Sequence, residues 1–453
     1  MNITITAENP TGMKVLVLNT LKSDWPFVIF VCLVSLAYLA GIPGVPFHPD
    51  EATQIFMSAD FDILLEQPDA LAWQPGSVDE PLRQQYRLLD APLTRYLIGA
   101  GRRLSGNVPA LISDWDWSKT WQENEQAGAL PSQPLLFVGR LSVAWLFPFC
   151  LVAIYLTGRT LGGTTAGWAA AVLLAGNALV LLHTRRAMAE SGLLAGVVFF
   201  LFALVHLKQR TWLLAIPTAL AFCAKQLGAP IAAAGLAAAW FVAPKPLRNR
   251  NTSVYLILLA FLLIVLHPFV WKDPLGGLQA ALLAREDLVE RQTQTLAQVS
   301  PDHVLSTLPQ RFMGLLAHLF VLEPAPADVG NYAQQTQSAE NTYFNNPLHT
   351  LMRGWIWGGV LMFTSAFGLL TALLDARPKS VTSPIKKQHL RLICLTTALQ
   401  ALALLSFISI PFQRYYLSLV PFVCLWSGYG LARLIELAGS LRPTRRQAPE
   451  TPI

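Results

Sequence analysis

Phe47-His48-Pro49-Asp50-Glu51 closes and follows an uncharged apolar run over 25–47, and the reading of that junction decides the fold. A secretory apolar region is roughly 7–15 residues; this run is longer and no small-residue cleavage site follows it, so it reads as an uncleaved first membrane span. The motif then sets an imidazole and two adjacent carboxylates at the outer mouth of that span. A Pro followed by acids opens a new element, which places Asp50 and Glu51 at a helix N-terminus, where negative charge suits the dipole. Downstream, Ile55, Phe56, Ala59, Ile63 and Leu64 have the spacing of an amphipathic helix over 52–65 lying along the bilayer. Capping that helix is one task for the two acids. A chemical task depends on what the rest of the chain brings to them.

Composition sets the solvent. The 453 residues are 53% apolar and only 13% charged, where soluble domains carry roughly 25% charge. This is the composition of an all-α polytopic membrane protein. The net charge of +6 calls for no nucleic acid, because basic residues gather in the short loops that face the cytoplasm. The five cysteines, Cys32, Cys150, Cys223, Cys394 and Cys424, all lie in apolar segments without a CxxC pair. They read as packing residues and not as a disulfide or zinc framework. Asn251-Thr252-Ser253 matches a glycosylation acceptor but falls on the cytoplasmic side of the expected topology.

Further apolar runs lie at 137–157, 164–182, 191–207, 211–225, 227–243, 252–271, 354–374, 392–412 and 414–432. With 25–47 they make about ten transmembrane helices of roughly 17–25 residues each. Lys225 and Pro230 divide an apolar stretch too long for one crossing. Lys14 and Lys22, Arg159, Lys208 and Arg210, Lys245, Arg248 and Arg250, Arg377 to Arg391, and Arg442, Arg445 and Arg446 then share one side, so both termini are expected in the cytoplasm. The chain divides into a cytoplasmic N-terminus (1–24), a membrane domain (25–435) and a basic cytoplasmic tail (436–453).

Two outward loops are too long to be plain connectors. The first, 48–136, is rich in acids; within it Pro92 begins a second interfacial helix over 93–104, and Trp115, Trp117 and Trp121 suit either the headgroup level or loop packing. The second, 272–353, opens on Trp271-Lys272-Asp273-Pro274 and a helix through Gln298, whose Arg285 to Arg291 charges read as a solvated face. Arg140, Arg185, Arg186, Lys225, Arg353 and Arg414 mark the outer ends of spans. Each alone reads as a snorkelling anchor; together, opposite the expected positive side, they suit anionic headgroups or phosphates, which the planar arginine fork binds through two oxygens. In the short loop His183 to Ser191, Arg186 and Glu190 are four apart and would pair locally on a helix. The alternative turns Glu190 toward the first-loop acids.

These stretches together resemble the GT-C superfamily of polyprenyl-phosphate-dependent glycosyltransferases, in the branch of protein O-mannosyltransferases and the aminoarabinose lipid A transferase. The likeness is carried by His48-Pro49-Asp50-Glu51, by Asp90-Ala91-Pro92-Leu93 against the family's His-Pro-Pro-Leu, and by Gly139-Arg140-Leu141-Ser142. It continues through Arg185-Arg186-Ala187-Met188-Ala189-Glu190, with Glu for the family's Asp, then Ala224-Lys225-Gln226 and Gln413-Arg414-Tyr415-Tyr416. It spans about 25–435, and its motifs are specific through their order and sidedness.

The resemblance implies a sugar linked through phosphate to a long isoprenoid in the outer leaflet and moved, with inversion, to an acceptor hydroxyl on a lipid, glycan or protein. Asp50 would be the base, with Glu51 and Glu190 as further catalytic carboxylates. Arg185, Arg186, Lys225 and Arg414 would meet the donor phosphate; His48, Arg140 and Tyr415 would contact substrate. The acids permit a divalent cation (Mg, Mn or Zn), with Asp50 and Glu190 as its ligands. The compact loops suit a bacterial inner membrane. The contrasting reading is a lipid-linked-sugar flippase or secondary transporter, but such proteins carry internal repeats and ionisable residues near mid-membrane, whereas here the acids gather at outer span ends.

Overall fold

In a computed structural model of the chain, residues 24–76, 81–106, 112–207, 210–327 and 332–440 are described, and all regular structure among them is helical. The expected cytoplasmic N-terminus up to residue 23 and the basic tail from 441 lie outside the described residues, with Lys14, Lys22, Lys208, Arg442, Arg445 and Arg446.

Among the described residues five helices are long and apolar enough to cross a membrane: Gln133–Ala175, Lys245–Leu266, Gly354–Asp375, Pro384–Phe407 and Gln413–Ser440. Four shorter apolar helices accompany them: Trp25–Ala40, Glu190–His206, Thr211–Ala224 and Gln226–Phe241. The first is shorter than the apolar run that predicts it because Gly41 caps it and Pro43 follows. Between the last two, Lys225 leaves the helix with φ −160° and ψ 140°, and Pro230 starts the next helix.

The Gln133–Ala175 run is folded back on itself. Gly162 (φ −133°) and Gly163 (φ +79°) break the helical path, and a Cβ placed on Gly167 would lie 2.7 Å from the Tyr155 carbonyl. Twelve residues along a straight helix those groups would be roughly 18 Å apart, so the legs run antiparallel. They cover the run expected at 137–157 and the first part of that expected at 164–182, which is interrupted after Ala175 before the separate helix Ala178–His183. The positive φ at Gly163 is the conformation only glycine adopts without penalty. Against this hairpin packs Val420–Ser440, and Gly354–Asp375 approaches it so closely that a side chain at Gly368 would overlap the Trp426 carbonyl. Small residues are how membrane helices bring backbones together when burial of apolar surface supplies no drive.

The outer surface of the bundle is apolar. Trp355 (85% exposed), Ile356 and Trp357 stand out at the start of Gly354–Asp375, and in Arg248–Leu266 only Asn251 and Tyr255 are buried. Such a surface is stable in lipid and not in water. All five cysteines are free, and all but Cys32 are buried.

The first outer loop corrects two expectations. The single helix expected over 52–65 is two helices, Pro49–Met57 and Asp60–Glu66. Arg102, fully buried, staples the break between them by donating to the Ser58 hydroxyl (2.8 Å) and the Ser58 carbonyl (3.2 Å). The helix Leu93–Leu104 begins after Pro92 as expected, but its basic face turns inward. Arg95 pairs with Asp60 (3.2 Å) and Arg102 with Asp62 (2.5 Å), while Arg87 from Pro81–Leu89 completes the Asp60 contact at 2.7 Å. Many of the loop's acids are therefore internal ion-pair partners. Trp115 is buried among Phe47, Trp121 and Tyr332, which decides for loop packing at that residue. In the second loop Asp273 caps Pro274–Val299 through the Gly276 amide at 2.9 Å, and the Arg291–Asp287 pair lies on a solvated face as expected.

Candidate functional site

The His48 backbone is extended, and Pro49 supplies the first residue of the Pro49–Met57 helix with φ already set. His48 Nδ1 accepts from the Asp50 amide (3.1 Å), and Glu51 reaches back to accept from the His48 amide (3.0 Å). This reciprocal cap satisfies two amides that a helix start leaves open. It also separates the two acids: Glu51 turns inward and Asp50 turns out.

Glu51 is 0% exposed. Arg140 donates to both its oxygens (2.7 and 2.8 Å), and the Ala187 amide donates at 2.9 Å. Arg140 in turn donates to the Ile42 and Val45 carbonyls in the turn that follows the first apolar helix. Both Glu51 oxygens are therefore engaged within the protein. Glu51 and Arg140 are both buried, and each holds the other in place. Burial alone would raise the Glu51 carboxyl, but the charge and hydrogen bonds of Arg140, with Arg186 and the Ala187 amide, outweigh it and hold the group below its usual range. A depressed folded-state value contributes stability that is present above the unfolded glutamate value of about 4.3 and is lost as pH falls through the folded value. Thermal unfolding followed across acidic pH should therefore show stability falling below about pH 4. Glu51→Gln should lose that slope as well as stability at neutral pH.

Asp50 is 31% exposed and meets Arg414 Nη1, from the Gln413–Leu419 segment at the other end of the chain. Arg414, 11% exposed, lies near the Tyr415 ring, and Lys225 stands 4.8 Å from the same ring. Lys225 donates to Glu190 at 2.5 Å. Asp50, Arg414, Tyr415, Lys225 and Glu190 are thus one constellation drawn from distant parts of the sequence. His48 belongs to its rim, packed against Trp117 and Tyr332.

The other expected phosphate ligands lie apart. Arg185 is buried against the Tyr38 ring (4.7 Å) and reaches His349 (3.4 Å). Arg186 makes no ion pair with Glu190, because residues 184–188 are not helical and the four-residue spacing has no meaning there; it donates to the Pro46 (3.2 Å) and Pro326 (2.8 Å) carbonyls. Both arginines hold loops to the bundle.

Two acids that the motif reading left without a role complete the electrostatics. Burial raises the Asp90 carboxyl, and the nearby negative charge of Asp50 raises it further against the pull of Arg95. Burial likewise raises Asp114, although it accepts from the Tyr86 hydroxyl at 2.6 Å. Asp50 therefore has carboxylate neighbours on one side and Arg414 on the other. The only sequence signal for Asp114 is its place in the Asp-Trp-Asp-Trp alternation from 114 to 117.

Among the described residues no group of three or more His, Cys, Asp or Glu is arranged to hold a metal ion. The two carboxylates expected as its ligands are paired with cationic side chains, Asp50 with Arg414 and Glu190 with Lys225.

No protein-family model matches the chain, and no curated protein matches it. Among solved structures it is similar to the Archaeoglobus fulgidus oligosaccharyltransferase complexed with Zn and sulfate, at a TM-score of 0.47 and 13% identity over 91% of this chain and 50% of that one. It is also similar to the archaeal oligosaccharyltransferase AglB from the same organism in complex with an inhibitory peptide and a dolichol-phosphate, at a TM-score of 0.47 and 12% identity over 94% of this chain and 53% of that one. The chain spans about half the length of each.

Proposed function

We propose that this chain is a GT-C-like integral membrane glycosyltransferase that moves a sugar from a polyprenyl-phosphate donor to an acceptor hydroxyl on the extracytoplasmic face. The observation that carries the reading is the Asp50–Arg414 pair, a partly exposed carboxylate held by a guanidinium from the far end of the chain, with Lys225 one aromatic ring away. A base for a hydroxyl and two cations for a phosphate are the groups this reaction needs. The motif resemblance over 25–435 points the same way.

In this reading both legs of the folded Gln133–Ala175 run and the four shorter apolar helices cross, giving ten spans. The site lies at their outer ends. Asp24, Arg159, Asp375 and Arg433 mark the inner ends, both termini are cytoplasmic, and the address is a bacterial inner membrane.

The free site holds Arg414 on Asp50. A donor phosphate competes for the same guanidinium fork, and the acceptor hydroxyl is met by Asp50. Asp50 then removes the hydroxyl proton as the acceptor oxygen attacks the anomeric carbon from the face opposite the phosphate. The carbon–oxygen bond to phosphate breaks, and its electron pair leaves on the polyprenyl phosphate, whose charge Lys225 and Arg414 meet. Glu190 keeps Lys225 in place.

Lys225→Ala and Arg414→Ala should each weaken binding of polyprenyl phosphate in nanodiscs by roughly ten- to a hundredfold, the worth of a charged hydrogen bond of about 1.5–3 kcal/mol. Unchanged affinity in both variants would make the two cations structural partners of Glu190 and Asp50 and remove the phosphate from the reading.

A further inference from the structure

Gln413, the residue before Arg414, is 2% exposed, and its amide reads the backbone of another segment. Its Oε1 accepts from the Ala325 amide at 2.6 Å, and its Nε2 donates to the Glu323 carbonyl at 3.0 Å and, more weakly, to the Leu322 carbonyl at 3.5 Å. One residue further on, the Pro326 carbonyl accepts from Arg186, which also donates to Pro46, two residues before His48. Ala327 then packs against the buried cluster of Ala52, Trp115, Ala129 and Tyr332, to which the Pro49–Met57 helix contributes Ala52. Residues 322–327 therefore run as a strap from the base of Arg414 to the helix that carries Asp50.

We infer that Gln413 is a positioning residue: through this strap it sets the register between Arg414 and Asp50. The inference rests on the transferase reading and adds to it. Only a side-chain amide of this length both donates and accepts across one extended segment, and a buried amide left with unpaired partners costs more than the bond itself contributes. A strap freed at one end lets the Gln413–Leu419 segment shift against Pro49–Met57, and misplacement by about 1 Å can cost on the order of a hundredfold in rate.

The test uses the full chain in nanodiscs and two readouts: hydrogen exchange at the backbone amides of 322–327, and polyprenyl phosphate release from lipid-linked sugar donors. Gln413→Ala should speed exchange at Ala325 and lower turnover at least tenfold, with the donor KM within about twofold of wild type. Gln413→Glu keeps the acceptor for the Ala325 amide and should recover part of both the protection and the turnover. Faster exchange with undiminished turnover overturns the positioning role, and unchanged exchange in Gln413→Ala overturns the strap. A wild-type chain that turns over no donor overturns the transferase reading and the positioning role with it, while the exchange readout still decides whether the strap exists.

Discussion

Asp50→Asn is expected to leave the chain folded and to lower sugar transfer by roughly 10²–10⁴-fold, the contribution of a positioned base. Asparagine keeps the shape of the side chain, and the Asp50 amide that caps on His48 belongs to the backbone, so the helix start survives. What is lost is the ability to take a proton and the charge that holds Arg414. Arg414 keeps its charge and its place beside Tyr415 and Lys225, so donor affinity should be undiminished. Release of polyprenyl phosphate in the presence of acceptor checks the first expectation, and equilibrium binding of polyprenyl phosphate checks the second. Near-wild-type transfer would remove Asp50 from the mechanism.

Arg140→Ala is expected to cost about 3–5 kcal/mol of stability, the effect of leaving one member of a buried ion pair uncompensated. Glu51 is fully buried and takes two of its hydrogen bonds from Arg140. The same substitution strips the Ile42 and Val45 carbonyls of their donor. Combining it with Glu51→Gln should cost far less than the sum of the single changes, because the second removes the stranded charge. Unfolding of the single and double variants in nanodiscs measures this directly. A loss below about 1 kcal/mol for Arg140→Ala would mean that the pair is solvated and Glu51 is no anchor.

The membrane class, the long apolar runs, the break at Lys225 and Pro230 and the placement of Asp50 at a helix start are legible in the residues themselves, because each depends on local composition or on one proline. The partners are not. Asp50 and Glu51 are adjacent and chemically alike, and only the back-folded cap decides that one faces out while the other is buried. Arg140 meets Glu51 across 89 residues and Arg414 meets Asp50 across 364, so no spacing rule applies. The Arg186–Glu190 spacing misleads for the opposite reason: it presumes a helix where the chain makes turns. Acids of the first loop count as candidate site groups in a linear reading, yet Asp60 and Asp62 are consumed by Arg87, Arg95, Arg102 and Arg103 once the short helices pack. Gln413 carries no charge and follows no periodic pattern, and its role is visible only beside the backbone of 322–325.

The central claim is that Asp50 and Arg414 serve transfer from a lipid-linked phosphate, and the most direct test offers the full chain in nanodiscs a panel of polyprenyl-phosphate sugars with a crude acceptor extract. Free polyprenyl phosphate should be released from one class of donor, dependent on acceptor and absent in Asp50→Asn. Movement of intact lipid-linked sugar across the bilayer, with no phosphate released from any donor, would contradict it and assign the outer-face constellation to a flippase.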